Sequence, residues 1–220
     1  MPGPLPIRFV DGTTTVEVLS LDDCQPELAL LAEHEAARYR SFTDAGAADA
    51  YLRRQSELRR RLAVATGRRP EQLRFETEPN GKPFLIDDDG RPAEPHFNLS
   101  SSDRLMALAV DFDQPIGVDV ECHGLHPGMT AASLAAALHP GELERLSADR
   151  LDDILQCWVY KEAWIKWTGE GMRADLKGLD LWRPDLPPRF VHRGAAIGLI
   201  RIPSAGIGVA WLGRARSVGA

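Results

Sequence analysis

Eighteen consecutive residues without glycine or proline, LDDILQCWVYKEAWIKWT from Leu151 to Thr168, constrain this chain more than any other stretch. Apolar residues fall at Leu151, Ile154, Leu155, Trp158 and Ile165, close to the helical period, so the run predicts an amphipathic helix. Continuing the stripe from Leu151, Leu155 and Trp158 brings Glu162 onto the same face, and Lys166 follows one turn later. On a solvated face, Glu162 and Lys166 would be an ordinary i,i+4 pair. The stripe instead turns Glu162 toward the body of the protein. A carboxylate there is costly unless a cation, a metal ion or hydrogen bonds compensate it, so the helix calls for a partner elsewhere in the chain.

The sequence IGVDVE supplies one. Asp119 and Glu121 stand two apart on a predicted strand, which sends both carboxylates to one face and Val118 and Val120 to the other. A polar outer face would give the same alternation. Paired carboxylates also repel one another and favour a shared divalent cation, and oxygen-only ligation selects Mg²⁺ or a similar hard ion, Mn²⁺ included, over zinc. Asp119, Glu121 and Glu162 together make a three-acid site with positions left for water and substrate phosphates. A zinc reading of ECHGLH, with Glu121, Cys122, His123 and His126, matches no strong zinc spacing; exposed loop histidines account for it better.

At 220 residues and 44% hydrophobic, the chain can bury a sizeable core as one large or two small domains. Its net charge of −6 disfavours wholesale nucleic-acid binding. No apolar run approaches the ~18 residues of a membrane span, and MPGPLPIRFV lacks the layout of a secretion signal, so a cytoplasmic protein is expected. Three scattered cysteines fit reduced thiols. PIRFV and TVEVLSL predict a hairpin around Asp11-Gly12, followed by helices over about Pro26–Tyr39 and Ala47–Thr66. LRFETE, the PNGKP turn, FLI and HFNLSSSD read as short strands and turns. LMALAVDF and IGVDVE predict a second hairpin, joined at Asp113-Gln114-Pro115. Helical text (MTAASLAAAL, GELERLSADR and the long run) and strands AIGLIRI and GIGVAWL complete the chain. Both halves thus read strands, helices, strands, dividing into 1–113 and 114–220.

Basic residues that can meet phosphate are Lys161 and Lys166 beside Glu162, Arg38 and Arg40, the RRQSELRRR run at 53–61, and Lys82 in NGKP. For the arginine run, an ordinary charged helix surface explains the pattern better. Ser100, Ser101 and Ser102 can cradle phosphate through hydroxyls and amides, as many serine-rich loops do. No GxSxG, Walker A or GxGxxG stands in the required strand-to-helix context.

GVDVE at 117–121 followed by WVYKEAWIKWTGEG at 158–171, with NGKP at 80–83 and FNLSSSD at 97–103 in order, resembles the 4′-phosphopantetheinyl transferases of the long surfactin-synthetase-activator type. The resemblance covers about Arg38 to Gly171. It implies an α+β fold of two pseudo-symmetric halves, each with helices packed on a small mostly antiparallel sheet, and an active site at the interface between them. It further implies Mg²⁺ on Asp119, Glu121 and Glu162; Lys166 on the coenzyme A phosphates and leaving group; Glu142 as a further acid near the site; and Lys82 and Arg38 on phosphate. Family members carry histidine at the middle of the serine cluster, on the ribose 3′-phosphate, where this chain has Ser101; Arg53 or Arg54 are the nearby substitutes. A long chain of this type is expected to act as a monomer.

The activity implied is transfer of phosphopantetheine from coenzyme A to a serine of an apo acyl or peptidyl carrier protein. Glu162, Glu142 and a metal-bound water all stand open as acceptor of the serine proton. The same acids and lysines would serve a Mg²⁺-dependent nucleotide phosphohydrolase, and Ser101 would suit an inactive coenzyme A or carrier-binding module.

Overall fold

The computed structural model describes residues 5–122, 130–146, 151–171, 174–181, 189–192, 195–202 and 207–214. β1 (Ile7–Asp11) and β2 (Thr14–Ser20) form the first expected hairpin, its two-residue turn at Gly12-Thr13, with Gly12 at φ 59°. Helix α1 (Glu33–Arg40) is shorter than its sequence suggests, because residues 28–30 form a separate 3-10 turn ahead of it. α2 (Ala45–Thr66) starts where the Asp44 carboxylate accepts the Ala47 N–H at 2.7 Å, and stops at Gly67, left-handed at φ 68°. β3 (Arg74–Thr77) and β4 (Pro83–Ile86) flank the NGKP turn; β5 (His96–Ser102) and β6 (Leu105–Asp111) follow.

The second expected hairpin does not form. β6 pairs with β5 and β2 in a sheet of order β1-β2-β6-β5, whereas β7 (Gly117–Cys122) is the edge of another, ordered β7-β10-β9-β8 with β8 (Arg189–His192), β9 (Ala195–Ile202) and β10 (Ile207–Arg214). Asp113-Gln114-Pro115 therefore carries the chain from one sheet to the other rather than turning it back. The reason lies in β6, whose two faces are both apolar: Met106, Leu108 and Val110 alternate with Ala107 and Ala109. Such a strand belongs in the middle of a sheet with material on both sides.

Three apolar layers result. Leu58, Leu62 and Ala63 of α2 cover Met106, Leu108 and Phe97 on one face of the first sheet. Its other face, Val16, Val18, Ala107 and Ala109, packs on Val118, Val120 and Trp211 of the second sheet. α5 (Leu151–Thr168) closes the far side with α3 (Ala131–Ala135), through Leu155, Val159, Ala163 and Leu134 on Leu212 and Ala195. The order is helix, sheet, sheet, helix, an α+β arrangement of small antiparallel sheets. α5 also differs from expectation. It is buried on nearly all sides, and the line Trp158, Glu162, Ile165 and Lys166 is its half-buried face.

Candidate functional site

Gly117 decides how closely α5 approaches β7. A β-carbon there would lie 2.3 Å from the Ala163 carbonyl and 2.5 Å from the Trp167 nitrogen, so only glycine lets the helix backbone press on the strand. That contact sets Glu162 and Lys166 over the face of β7 that carries Asp119 and Glu121, with Val118 and Val120 turned into the core between the sheets.

Asp119 is 3% exposed. Its Oδ1 accepts from Lys166 Nζ at 2.6 Å and from Ser100 Oγ at 2.7 Å, while the Lys166 ammonium also donates to Ser100 Oγ at 2.8 Å. Its Oδ2 is buried without a hydrogen-bond partner. Glu121 accepts from Ser102 Oγ at 2.6 Å, and the Trp158 side chain stands beside it. Burial holds the Glu121 carboxyl above the usual carboxylate range, with Asp119 adding to the effect and the Ser102 hydroxyl opposing it. Glu162 is pushed up to about 7, first by burial and then by Asp119 and Glu121, against the pull of Lys166. Three acids thus share a site with one ammonium.

Their donor chemistry suits a divalent cation. The uncompensated negative charge and the orphaned Asp119 Oδ2 are what an oxygen-liganded ion would satisfy. Among the described residues no group of three or more Asp, Glu, His or Cys side chains stands close enough together to hold a metal ion as it is. His123 and His126, weighed above for zinc, lie outside the described residues.

Lys82 ties the NGKP turn to the same helix. Its Nζ donates to the Lys166 carbonyl at 2.8 Å and the Ile116 carbonyl at 3.0 Å, and Asn80 Nδ2 donates to the Gly169 carbonyl at 2.9 Å. The Lys166 and Gly169 carbonyls are ones that the end of α5 leaves open, and the Ile116 carbonyl leads into β7. Burial pushes the Lys82 ammonium down. In this structure Lys82 is a cap on α5 and a strut to β7.

A cleft of about 610 Å³ runs from Arg38, Tyr51 and Arg54 past Ser100 and Ser101 to Lys166. Arg38 and Arg54 stand over the Tyr51 ring at 5.9 and 5.5 Å, and Arg54 donates to Ser101 Oγ at 3.0 Å. Burial, together with the neighbouring Arg38, pushes the Arg54 guanidinium down. The rest of the arginine run has other partners: Arg53 bonds Asp49 and the Cys24 carbonyl, Arg59 the buried Glu35, Arg60 Glu27, and Arg61 Glu57 and Glu17. Arg40 pairs with Glu33. Of the two arginines offered as substitutes beside Ser101, Arg54 reaches it.

Lys161 and Glu142, on α5 and α4 (Pro140–Arg145), are brought to each other and not to the three acids. Both side chains are 0% exposed and stand 2.9 Å apart. Lys161 Nζ also donates to the Leu176 and Leu179 carbonyls, and Glu142 accepts the backbone N–H groups of His139 and Leu181 at 2.9 Å each. All three ammonium hydrogens therefore have protein acceptors, which leaves Lys161 none for a phosphate.

The serines were underestimated from sequence. Asn98, Ser100 and Ser102 occupy one face of β5 with the same two-residue spacing as Asp119 and Glu121 on β7. Comparing the two alternations was the signal available. Tyr51, between the arginines, had none.

A family model, the 4′-phosphopantetheinyl transferase superfamily, matches residues 115–195, which hold β7 and α5. The 4′-phosphopantetheinyl transferase HetI of Nostoc is 29% identical over 92% of this chain and 87% of its own length. The 4′-phosphopantetheinyl transferase psf-1 of Bacillus pumilus is 37% identical over 48% of this chain, which spans 44% of that relative. The paired strand and helix signatures that meet in space lie within the stretch matched by the 4′-phosphopantetheinyl transferase superfamily model, and the chain is similar to 4′-phosphopantetheinyl transferases over most of its length.

Proposed function

We propose that the chain transfers the 4′-phosphopantetheine group of coenzyme A to a serine of an apo acyl or peptidyl carrier protein, releasing adenosine 3′,5′-bisphosphate. The observation that carries the reading is the continuity of one cleft from two arginines that have no carboxylate partner among the described residues, through Ser100 and Ser101, to Lys166, whose ammonium bonds Asp119. A polyanion laid along it would meet Arg38 and Arg54 at one end and Lys166 at the other.

In this reading Asp119, Glu121 and Glu162 hold Mg²⁺, or Mn²⁺, which when bound supplies positive charge to the pyrophosphate. Lys166 binds the phosphates and steadies the charge that builds on the oxygen leaving with the adenosine bisphosphate. The carrier serine oxygen bonds to the phosphorus next to the pantetheine arm as the pyrophosphate P–O bond breaks, and its proton passes to an acceptor. Glu162, half-buried in the site, is placed for that task; Glu142 is sealed from solvent with Lys161. Lys82 acts by holding the helix end that carries Lys166. The two sheets are the cores of two halves divided near residue 113, the site lies between them, and the chain works as a monomer in the cytoplasm, with neither nucleic acid nor membrane as partner. Among the described residues no helix is long and apolar enough to cross a membrane.

The test is incubation with coenzyme A, Mg²⁺ and a panel of apo carrier proteins, followed by intact-mass measurement. A carrier gaining one phosphopantetheine arm, with no gain from the Asp119→Ala chain, is the result expected. Cleavage of coenzyme A without carrier modification would make the chain a phosphohydrolase, and binding without cleavage would make it a binding module.

A further inference from the structure

We infer that Ser102 is a positioning residue for Glu121, the second rung of a side-chain ladder from β5 that sets the acids before any cation arrives. β5 and β7 are edge strands of different sheets, with no backbone ladder between them. Side chains join them instead. Asn98 Oδ1 accepts the Val118 N–H at 2.8 Å, Ser100 Oγ donates to Asp119 Oδ1 at 2.7 Å, and Ser102 Oγ donates to Glu121 Oε2 at 2.6 Å. Partner numbers rise together along the two strands, so the strands run side by side in the same direction and each polar residue of β5 meets a later position of β7 than the one before it.

The two hydroxyl rungs do the same thing chemically. Each occupies one oxygen of a carboxylate by a short charge-assisted hydrogen bond and so fixes the rotation of that carboxylate. At Asp119 the consequence is visible: Oδ1 is taken by Ser100 and Lys166, and Oδ2 is left buried and without a partner. At Glu121 the Ser102 hydroxyl holds Oε2, on the side of the site where Trp158 of α5 stands. Glu121 is the longer and less buried acid, so it has more rotational freedom to lose, and a fixed donor matters more to it. Ser101, between the two rungs, points the other way, to Arg54 in the cleft. Partners of this kind orient metal-ligating groups, and their removal typically weakens metal affinity about 10- to 100-fold.

The inference rests on the reading of Asp119, Glu121 and Glu162 as cation ligands. Its test is direct titration of Mn²⁺ into the full chain without coenzyme A, with free Mn²⁺ counted by electron paramagnetic resonance and the thermal unfolding midpoint recorded for each variant. Ser102→Ala should weaken Mn²⁺ binding about 10-fold or more with an unchanged midpoint, Ser102→Thr should keep most of the affinity because the hydroxyl stays, and Ser101→Ala should leave it alone. Wild-type affinity in Ser102→Ala, or equal losses in the Ala and Thr variants, would overturn the positioning role. If the wild-type chain takes up no more Mn²⁺ than Asp119→Ala, the failure belongs to the cation reading itself.

Discussion

Glu162 and Lys161 are neighbours in sequence with opposite fates. Lys161 belongs to a sealed pair with Glu142; Glu162 faces a half-open site among like charges. A carboxyl raised from its ordinary 4.5 to about 7 keeps its proton in the folded chain over a range in which the unfolded chain has released it. Unfolding free energy therefore falls as pH rises from about 4.5 to about 7, and levels off above. Glu162→Gln removes that dependence. In the absence of divalent cations, the Gln chain should match wild type near pH 4.5 and exceed it near pH 8 by on the order of 1–2 kcal/mol, after discounting for the group's exposure. Denaturant unfolding at both pH values in the presence of EDTA checks this, and a difference that does not change with pH would contradict it. For Lys161, truncation to Met strands Glu142 in the interior and should cost about 3–5 kcal/mol in the same measurement, with coenzyme A binding by the folded fraction unchanged. Sequence spacing placed Glu162 on the line through Trp158 and Lys166. It could not expose the burial of Lys161, because the groups that enclose it come from residues 142, 176 and 179, whose approach depends on how α4 and the turn after α5 fold back.

At the level of elements, β7 and α5 function as one object held by the missing side chain of Gly117. Ala at this position puts a methyl group within 3 Å of the α5 backbone at three atoms, none of which can swing aside. Strand and helix must part, which carries Glu162 and Lys166 away from Asp119. We expect Gly117→Ala to cost about 2–3 kcal/mol in denaturant unfolding and to weaken Mn²⁺ binding together with it. Unaltered stability would mean that the strand and helix have room to spare. Most elements were legible: hydrophobic periodicity found α2 and α5, the Asn-Gly turn separated β3 from β4, and Gly67 stopped α2 where expected. Strand partners were not. Period-two alternation identifies a strand without saying which neighbour it pairs with, and proximity in sequence misassigned β6 to β7. The two apolar faces of β6 were the available warning, since an outer hairpin strand has no use for both.

For the molecule as a whole, the candidate site gathers Arg38 from α1, Tyr51 and Arg54 from α2, Ser100 to Ser102 from β5, and Asp119, Glu121, Glu162 and Lys166 from β7 and α5. That distribution was only partly legible. The order of elements suggested two similar halves, and family signatures suggested what they enclose, but the ladder from β5 to β7 depends on two edge strands meeting, which no local pattern encodes. The sheets also share a core, Val16, Val18, Ala107 and Ala109 against Val118, Val120 and Trp211, so they should unfold together rather than in sequence. Coenzyme A bound along the cleft then stabilises the entire chain, by about 2.7 kcal/mol at a hundredfold excess over Kd. Hydrogen exchange should slow in α2 and in α5 alike when coenzyme A is added, within a single cooperative unfolding transition. Arg54→Ala, which empties one end of the cleft, should lose most of the effect in both helices at the same ligand concentration. Slowing confined to α2 or to α5 would mean that the two sheets open separately, and the reading of one cooperative core shared by both would have to be abandoned.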